Sequence, residues 1–108
     1  MRRFAALRRQ TDFARLRRQG TRLSTNSLTI YRSEPAPGDL QTLLGIAVGK
    51  SVGKAVVRNK VRRRIAAIVH DALAPGRLMR LLVVPRPGVV QRSFDELRAE
   101  VTSALQRA

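Results

Sequence analysis

The chain has no cysteine and only one histidine. The first absence excludes disulfides and thiolate metal sites, and it fits the cytoplasmic location expected here. No apolar run approaches the roughly 20 residues of a membrane span. The start, Met1-Arg2-Arg3-Phe4, is basic but leads into no continuous apolar segment, so no signal peptide is expected. Acids are scarce: seven Asp plus Glu, none of them between positions 40 and 70. No His/Asp/Glu set has the spacing of a metal site, and no Ser–His–acid arrangement can be assembled. No residue is therefore assigned as catalytic or metal-binding, and a self-sufficient protein nuclease is not expected.

Against those few acids stand 22 Lys plus Arg, for a formal net charge of +15 in 108 residues. Self-repulsion on that scale destabilises a compact chain, so a polyanionic partner is the natural explanation. Nucleic acid and a membrane surface are the two rival polyanions. Most of the cations are arginine, whose planar fork suits phosphates and stacked bases better than the point charge of lysine. Apolar residues make up 44%, enough for a packed core. The length suits a single domain over residues 1–108, with 1–10 set apart as a basic stretch whose order is left open.

Residues 1–23 hold eight arginines and one acid, Asp12. Thr11-Asp12 reads as the cap of a short helix with Phe13 and Leu16 on its apolar side, closed by Gly20. A strand is expected over 24–33, then a loop at Pro35-Ala36-Pro37-Gly38-Asp39. A second strand is expected at 40–48. It places Leu40, Thr42, Leu44, Ile46 and Val48 on one face and small Gly45 and Ala47 on the other, a face that invites close approach by another element. Val57, Val61, Ile65, Ile68, Val69 and Ala72 recur at helical spacing over 54–73, and Pro75-Gly76 stops that helix. The nearly continuous apolar strand at 78–84 is expected at the centre of a sheet. A last helix starts near 94 with Ser93 and Glu96 as a capping box. His70 reads as a packing or dipole residue near a helix end. The order implies an α+β sandwich.

The main constellation lies at 50–64, where seven of fifteen residues are basic: Lys50, Lys54, Arg58, Lys60, Arg62, Arg63 and Arg64. On a helical wheel Arg58 and Arg62 flank one side of the Val57/Val61/Ile65 stripe, and Lys60 and Arg64 the other, with Arg63 pointing away. Like charges four apart cost a few tenths of a kcal/mol per pair, and cations at a helix start oppose its dipole. Helix stability does not account for the cluster, whereas a phosphate-rich ligand does. Asn59, within the run, is either a plain helix residue or a group that reads a base or a 2′-hydroxyl.

The stretch Gly45-Ile46-Ala47-Val48-Gly49-Lys50-Ser51-Val52-Gly53-Lys54-Ala55-Val56-Val57-Arg58-Asn59-Lys60-Val61-Arg62-Arg63 resembles the signature of the ribonuclease P protein family. Asp12-Phe13 with Gly20, and Pro85-Arg86-Pro87-Gly88 followed by Ser93-Phe94-Asp95-Glu96-Leu97, resemble its flanks. The resemblance covers roughly residues 4–105. It implies a ribosomal-protein-like αβββαβα domain with a left-handed βαβ crossover, where the general rule predicts a right-handed one. It also implies a subunit of a ribonucleoprotein endonuclease whose active site and Mg²⁺ reside in a partner RNA. The partners implied are that ribonuclease P RNA and precursor tRNA; neither a membrane nor duplex DNA is expected.

Carried over by position, Lys54, Arg58, Asn59, Lys60, Arg62 and Arg63 would contact the catalytic RNA, with Lys50 and Arg64 beside them. Phe13 and Tyr31 would line a cleft for the single-stranded 5′ leader, since rings stack bases without sequence preference. Arg17 stands where a second cleft aromatic is often found. Lys60, Arg62 and Ser51 also depart from the family's usual arginine, lysine and lysine.

Three other readings are weaker. Gly49-Lys50-Ser51 lacks the glycine a phosphate loop needs at position 44, which is Leu44. A structural ribosomal protein would share the charge and fold type without a leader cleft. A DNA regulator should show helix-turn-helix spacing beside the basic helix, and none is present.

Overall fold

The computed structural model describes residues 4–74 and 76–107. Its elements run β1 (Phe4–Ala6), α1 (Gln10–Gln19), β2 (Thr21–Ser24), β3 (Leu28–Ser33), β4 (Thr42–Ile46), α2 (Ala55–Ala72), β5 (Arg80–Pro85) and α3 (Phe94–Arg107). Short 3₁₀ turns at Lys50–Val52 and Pro87–Gln91 lead into α2 and α3. The strands form one sheet in the order β1-β4-β5-β3-β2. β5 is central, parallel to β4 and antiparallel to β3, as its apolar run predicts. The expected α+β architecture is present, with α2 crossing between the adjacent parallel strands β4 and β5.

Alternation along the strands divides the interior in two. Leu28, Ile30, Leu44, Leu81 and Val83 point to the face covered by α2 and α3, where Val61, Ile65, Ile68 and Val69 meet Leu97, Val101 and Ala104. Leu82 points to the other face and packs with Leu7 and Leu16 beneath α1. The α2 stripe is thus buried as its periodicity predicts. Burying each such side chain contributes about 2 kcal/mol before chain entropy is charged.

Several boundaries differ from expectation. The strand expected over 24–33 is a hairpin. Thr25 turns the chain: its N–H donates to the Leu28 carbonyl, and its Oγ1 accepts from the Leu28 N–H. Glu100 of α3 closes the turn by accepting from Thr25 Oγ1, Ser27 N and Ser27 Oγ at 2.6–3.0 Å. Arg86, leaving β5, donates to the Leu28 and Thr25 carbonyls and to Thr29 Oγ1.

The strand expected at 40–48 is shorter. Leu40 lies outside it and is 90% exposed. α1 begins at Gln10 rather than at Thr11-Asp12, and its cap residue, Arg9, makes no side-chain cap bond. Asp12 is spent elsewhere, as described below.

Gly20 does end α1, in an extended conformation, with its N–H on the Leu16 carbonyl. α2 ends at Ala72 with Leu73 as its cap, and Pro75 lies outside the described residues. The Ser93/Glu96 capping box forms as expected: Glu96 N donates to Ser93 Oγ at 3.1 Å, and Ser93 N to Glu96 Oε1 at 2.9 Å.

β1 was not foreseen. Residues 1–3 lie outside the described set, but Phe4–Ala6 pairs in parallel with Thr42–Leu44, and Phe4 is buried. The Phe4 ring meets His70 edge-on at 6.5 Å, which agrees with a packing role for that histidine.

Candidate RNA-binding surface

The Gly49–Lys54 turn sets the start of α2. Gly53 has φ 155° and ψ −168°, a region only glycine populates readily. A side chain there would also crowd Val57, with its Cβ 3.1 Å from Cγ1. The turn leaves Lys50 and Lys54 exposed, and Lys54 occupies the N-cap position of α2. Along α2, Asn59, Lys60 and Arg63 are exposed, while Arg58, Arg62 and Arg64 lie half-buried beside the Val57/Val61/Ile65 stripe. The wheel predicts this for Arg58, Arg62, Arg63 and Arg64, whereas Lys60, expected to flank the stripe with Arg64, is exposed. Among the described residues no acid pairs with any of these cations; the ion pairs involve Arg80 and Arg92. Arg58 Nε is buried without a hydrogen-bond partner among the described residues. Asn59 has a local task, because its Oδ1 accepts from Arg62 Nη1 at 2.7 Å and so orients that guanidinium.

A cavity of about 510 Å³ opens beside this face. One wall is α1, which presents Gln10, Phe13, Ala14 and Arg17 at i, i+3, i+4 and i+7. The floor is Ile46 to Gly49, leaving β4, together with Val84 of β5. The far rim is Arg62 of α2. The half-buried Phe13 therefore shares one cavity with an arginine of α1 and an arginine of α2.

Phe13 is both core and cleft. Its ring seats against Gly45, where a Cβ would stand 2.7 Å from Cε1. The small-residue face of β4 therefore receives the aromatic of α1. Tyr31 lies outside this cavity; it is half-buried with Phe13 against the Leu7/Leu16/Leu82 cluster. Phe13 and Arg17 are thus brought together with Arg62, and Tyr31 does not line the cavity with them. Sequence reasoning missed Gln10 and Ala14, which the helical spacing from Phe13 could have found. It also missed Val84, which only the sheet register reveals.

Among the described residues no three His, Asp or Glu side chains come together as a metal ion would require. Among the described residues no helix is long and apolar enough to cross a membrane.

Comparison with known proteins shows the family. The family model described as Ribonuclease P matches residues 1–108. A ribonuclease P protein component of Acidothermus cellulolyticus is 39% identical over 103 residues, covering 94% of this chain and 85% of the relative. One from Streptomyces avermitilis is 37% identical over 111 residues, covering 94% and 89%. Among solved structures, the Staphylococcus aureus RNase P protein superposes with a TM-score of 0.84 at 22% identity, over 94% of this chain and 93% of that one. The Thermotoga maritima RNase P protein gives 0.80 at 24% identity, over 95% and 96%. Those two likenesses speak for the fold, and the family model with the closer sequence relatives speaks for descent: the chain belongs to the ribonuclease P protein family.

Proposed function

We propose that the chain joins two RNAs, seating the α2 cations on the ribonuclease P RNA and the Phe13/Arg17/Arg62 cleft on the 5′ leader of precursor tRNA. Membership makes it the protein subunit of the ribonucleoprotein endoribonuclease that matures tRNA 5′ ends. The observation that carries the finer reading is the double position of Arg62. It belongs to the cationic face of α2 and also rims the cavity. The two surfaces therefore meet at one side chain, which Asn59 holds in place.

The work of the protein is electrostatic and positional. Lys50, Lys54, Arg58, Lys60, Arg62, Arg63 and Arg64 offset the repulsion between two polyanions, and each phosphate engaged releases counterions. Phe13 offers a stacking face in the same cavity as Arg17 and Arg62, a combination that suits an unpaired strand of any sequence. Tyr31 would extend that platform. Holding the leader fixes the scissile phosphate against the active site of the RNA and removes positional entropy from the reaction. Mg²⁺ held mainly by the RNA subunit supplies the Lewis acidity for hydrolysis. Such a role belongs in the cytoplasm.

The test is reconstitution with a bacterial ribonuclease P RNA and a precursor tRNA at low-millimolar Mg²⁺, following leader release. The protein alone should be inert and should restore cleavage by the RNA. Binding to several such RNAs with no stimulation of cleavage would favour a structural ribosomal role.

A further inference from the structure

We infer that Arg80 is a positioning residue for the leader cleft: by holding Asp12 it sets where α1 stands over the sheet, and so where Phe13 and Arg17 meet the single strand. The inference rests on the cleft reading above. Arg80 opens β5 and is 16% exposed, with its guanidinium shared between two carboxylates. Nε and Nη2 donate to Asp39 at 2.9 and 3.1 Å, and Nη1 donates to Asp12 Oδ1 at 3.3 Å. Asp39 also accepts from the Ala36 N–H at 2.8 Å, so its half of the network closes the 35–39 loop. The Asp12 half reaches α1 alone.

α1 needs such a tether. It has one fully buried side chain, Leu16, and no side-chain cap at its start. It and its approach carry Arg8, Arg9, Arg15, Arg17 and Arg18, which repel one another. Asp12 is the only acid among the first 33 residues, and it is spent on a guanidinium from the sheet. It directly precedes Phe13, so the tether acts one residue from the ring that seats on Gly45. Arg80, Leu82 and Val84 alternate onto the same face of β5. One strand therefore anchors α1 at its first residue and floors the cleft near its last. Without Asp12, Arg80 keeps its two bonds to Asp39. The loss then falls on the placement of α1 rather than on the fold.

The experiment uses the reconstituted holoenzyme and compares affinity for leader-bearing precursor with affinity for mature tRNA. Asp12→Ala should lower that ratio roughly fivefold, about 1 kcal/mol, with binding of the RNA subunit unchanged. Asp12→Glu, which keeps the charge, should recover most of it. Asp39→Ala should lower the thermal midpoint at least as much as Asp12→Ala yet leave the ratio near wild type. A merely structural ion pair would not separate the two. Equal effects of Asp12→Ala and Asp39→Ala on the ratio would overturn the inference. So would an unchanged ratio for Asp12→Ala where Phe13→Ala loses it. If Phe13→Ala itself leaves the ratio intact, the cleft reading fails and the tether fails with it.

Discussion

The ring of Phe13 occupies the space that a side chain at position 45 would need: a Cβ built on Gly45 would stand 2.7 Å from Cε1 and 2.9 Å from Cζ. Approaches that short must be relieved by movement of the ring, because Leu82 Cδ1 already closes another side at 3.4 Å. Gly45→Ala should cost about 1–3 kcal/mol, as overpacking does, and push the ring toward the cavity. Urea unfolding measures the first effect. Weaker discrimination between precursor and mature tRNA measures the second.

Arg62 and Asn59 should behave as one unit in RNA binding. Neutralising Arg58 and Arg62 removes two cations, so the slope of log affinity against log salt should fall by roughly 0.7–0.9 for each phosphate no longer neutralised. Asn59→Ala leaves the charge in place and releases the guanidinium it holds. It should weaken binding less than Arg62→Ala and add almost nothing on top of it. Filter binding at several salt concentrations checks both statements. Additive losses would mean that Asn59 touches RNA by itself.

Acid should loosen the Arg80 junction. Hydrogen bonds from the Arg80 guanidinium hold the Asp39 carboxyl below its ordinary value of 3.8. A carboxylate depressed by folding contributes its stability fully above the unfolded value and loses it as pH falls through the folded value. The contribution is therefore whole at neutral pH and disappears below about pH 3.8. Urea midpoints should fall more steeply with acid in the wild type than in Asp39→Asn, which lacks the titrating group. Parallel curves would remove Asp39 from the account.

Glu100 is the clasp of the β2–β3 hairpin, with its side chain 9% exposed. Glu100→Ala would leave the buried Ser27 N–H and hydroxyl without their acceptor, at a cost of about 3 kcal/mol. The melting temperature should drop by roughly 10–20 °C, as expected for a domain of this size. Glu100→Gln keeps one acceptor oxygen and should lose less.

Much of this was legible in the sequence because it is periodic. The α2 stripe, the flanking arginines and the small-residue face of β4 follow from spacings of 3.6 and 2, and the central place of β5 from its nearly unbroken apolar run. β1 escaped because three residues inside an arginine-rich segment carry no period. The β2–β3 hairpin escaped because Thr25-Asn26-Ser27 are polar turn residues within a run that reads as one strand. Asp12 sits where a helix cap would, and nothing local marks its true partner 68 positions away. Phe13 and Tyr31 were expected to line one cleft; both pack on the Leu7/Leu16/Leu82 cluster, but only Phe13 lines the cavity. How α1 sits over the sheet is a tertiary property with no local signature.

The two outer strands of the sheet, β1 and β2, span three and four residues. Backbone groups left open at such short borders give another sheet little to add to, and the surplus of positive charge keeps sister molecules at a distance. Pairing edge to edge with copies of itself is therefore disfavoured for the chain by both geometry and charge.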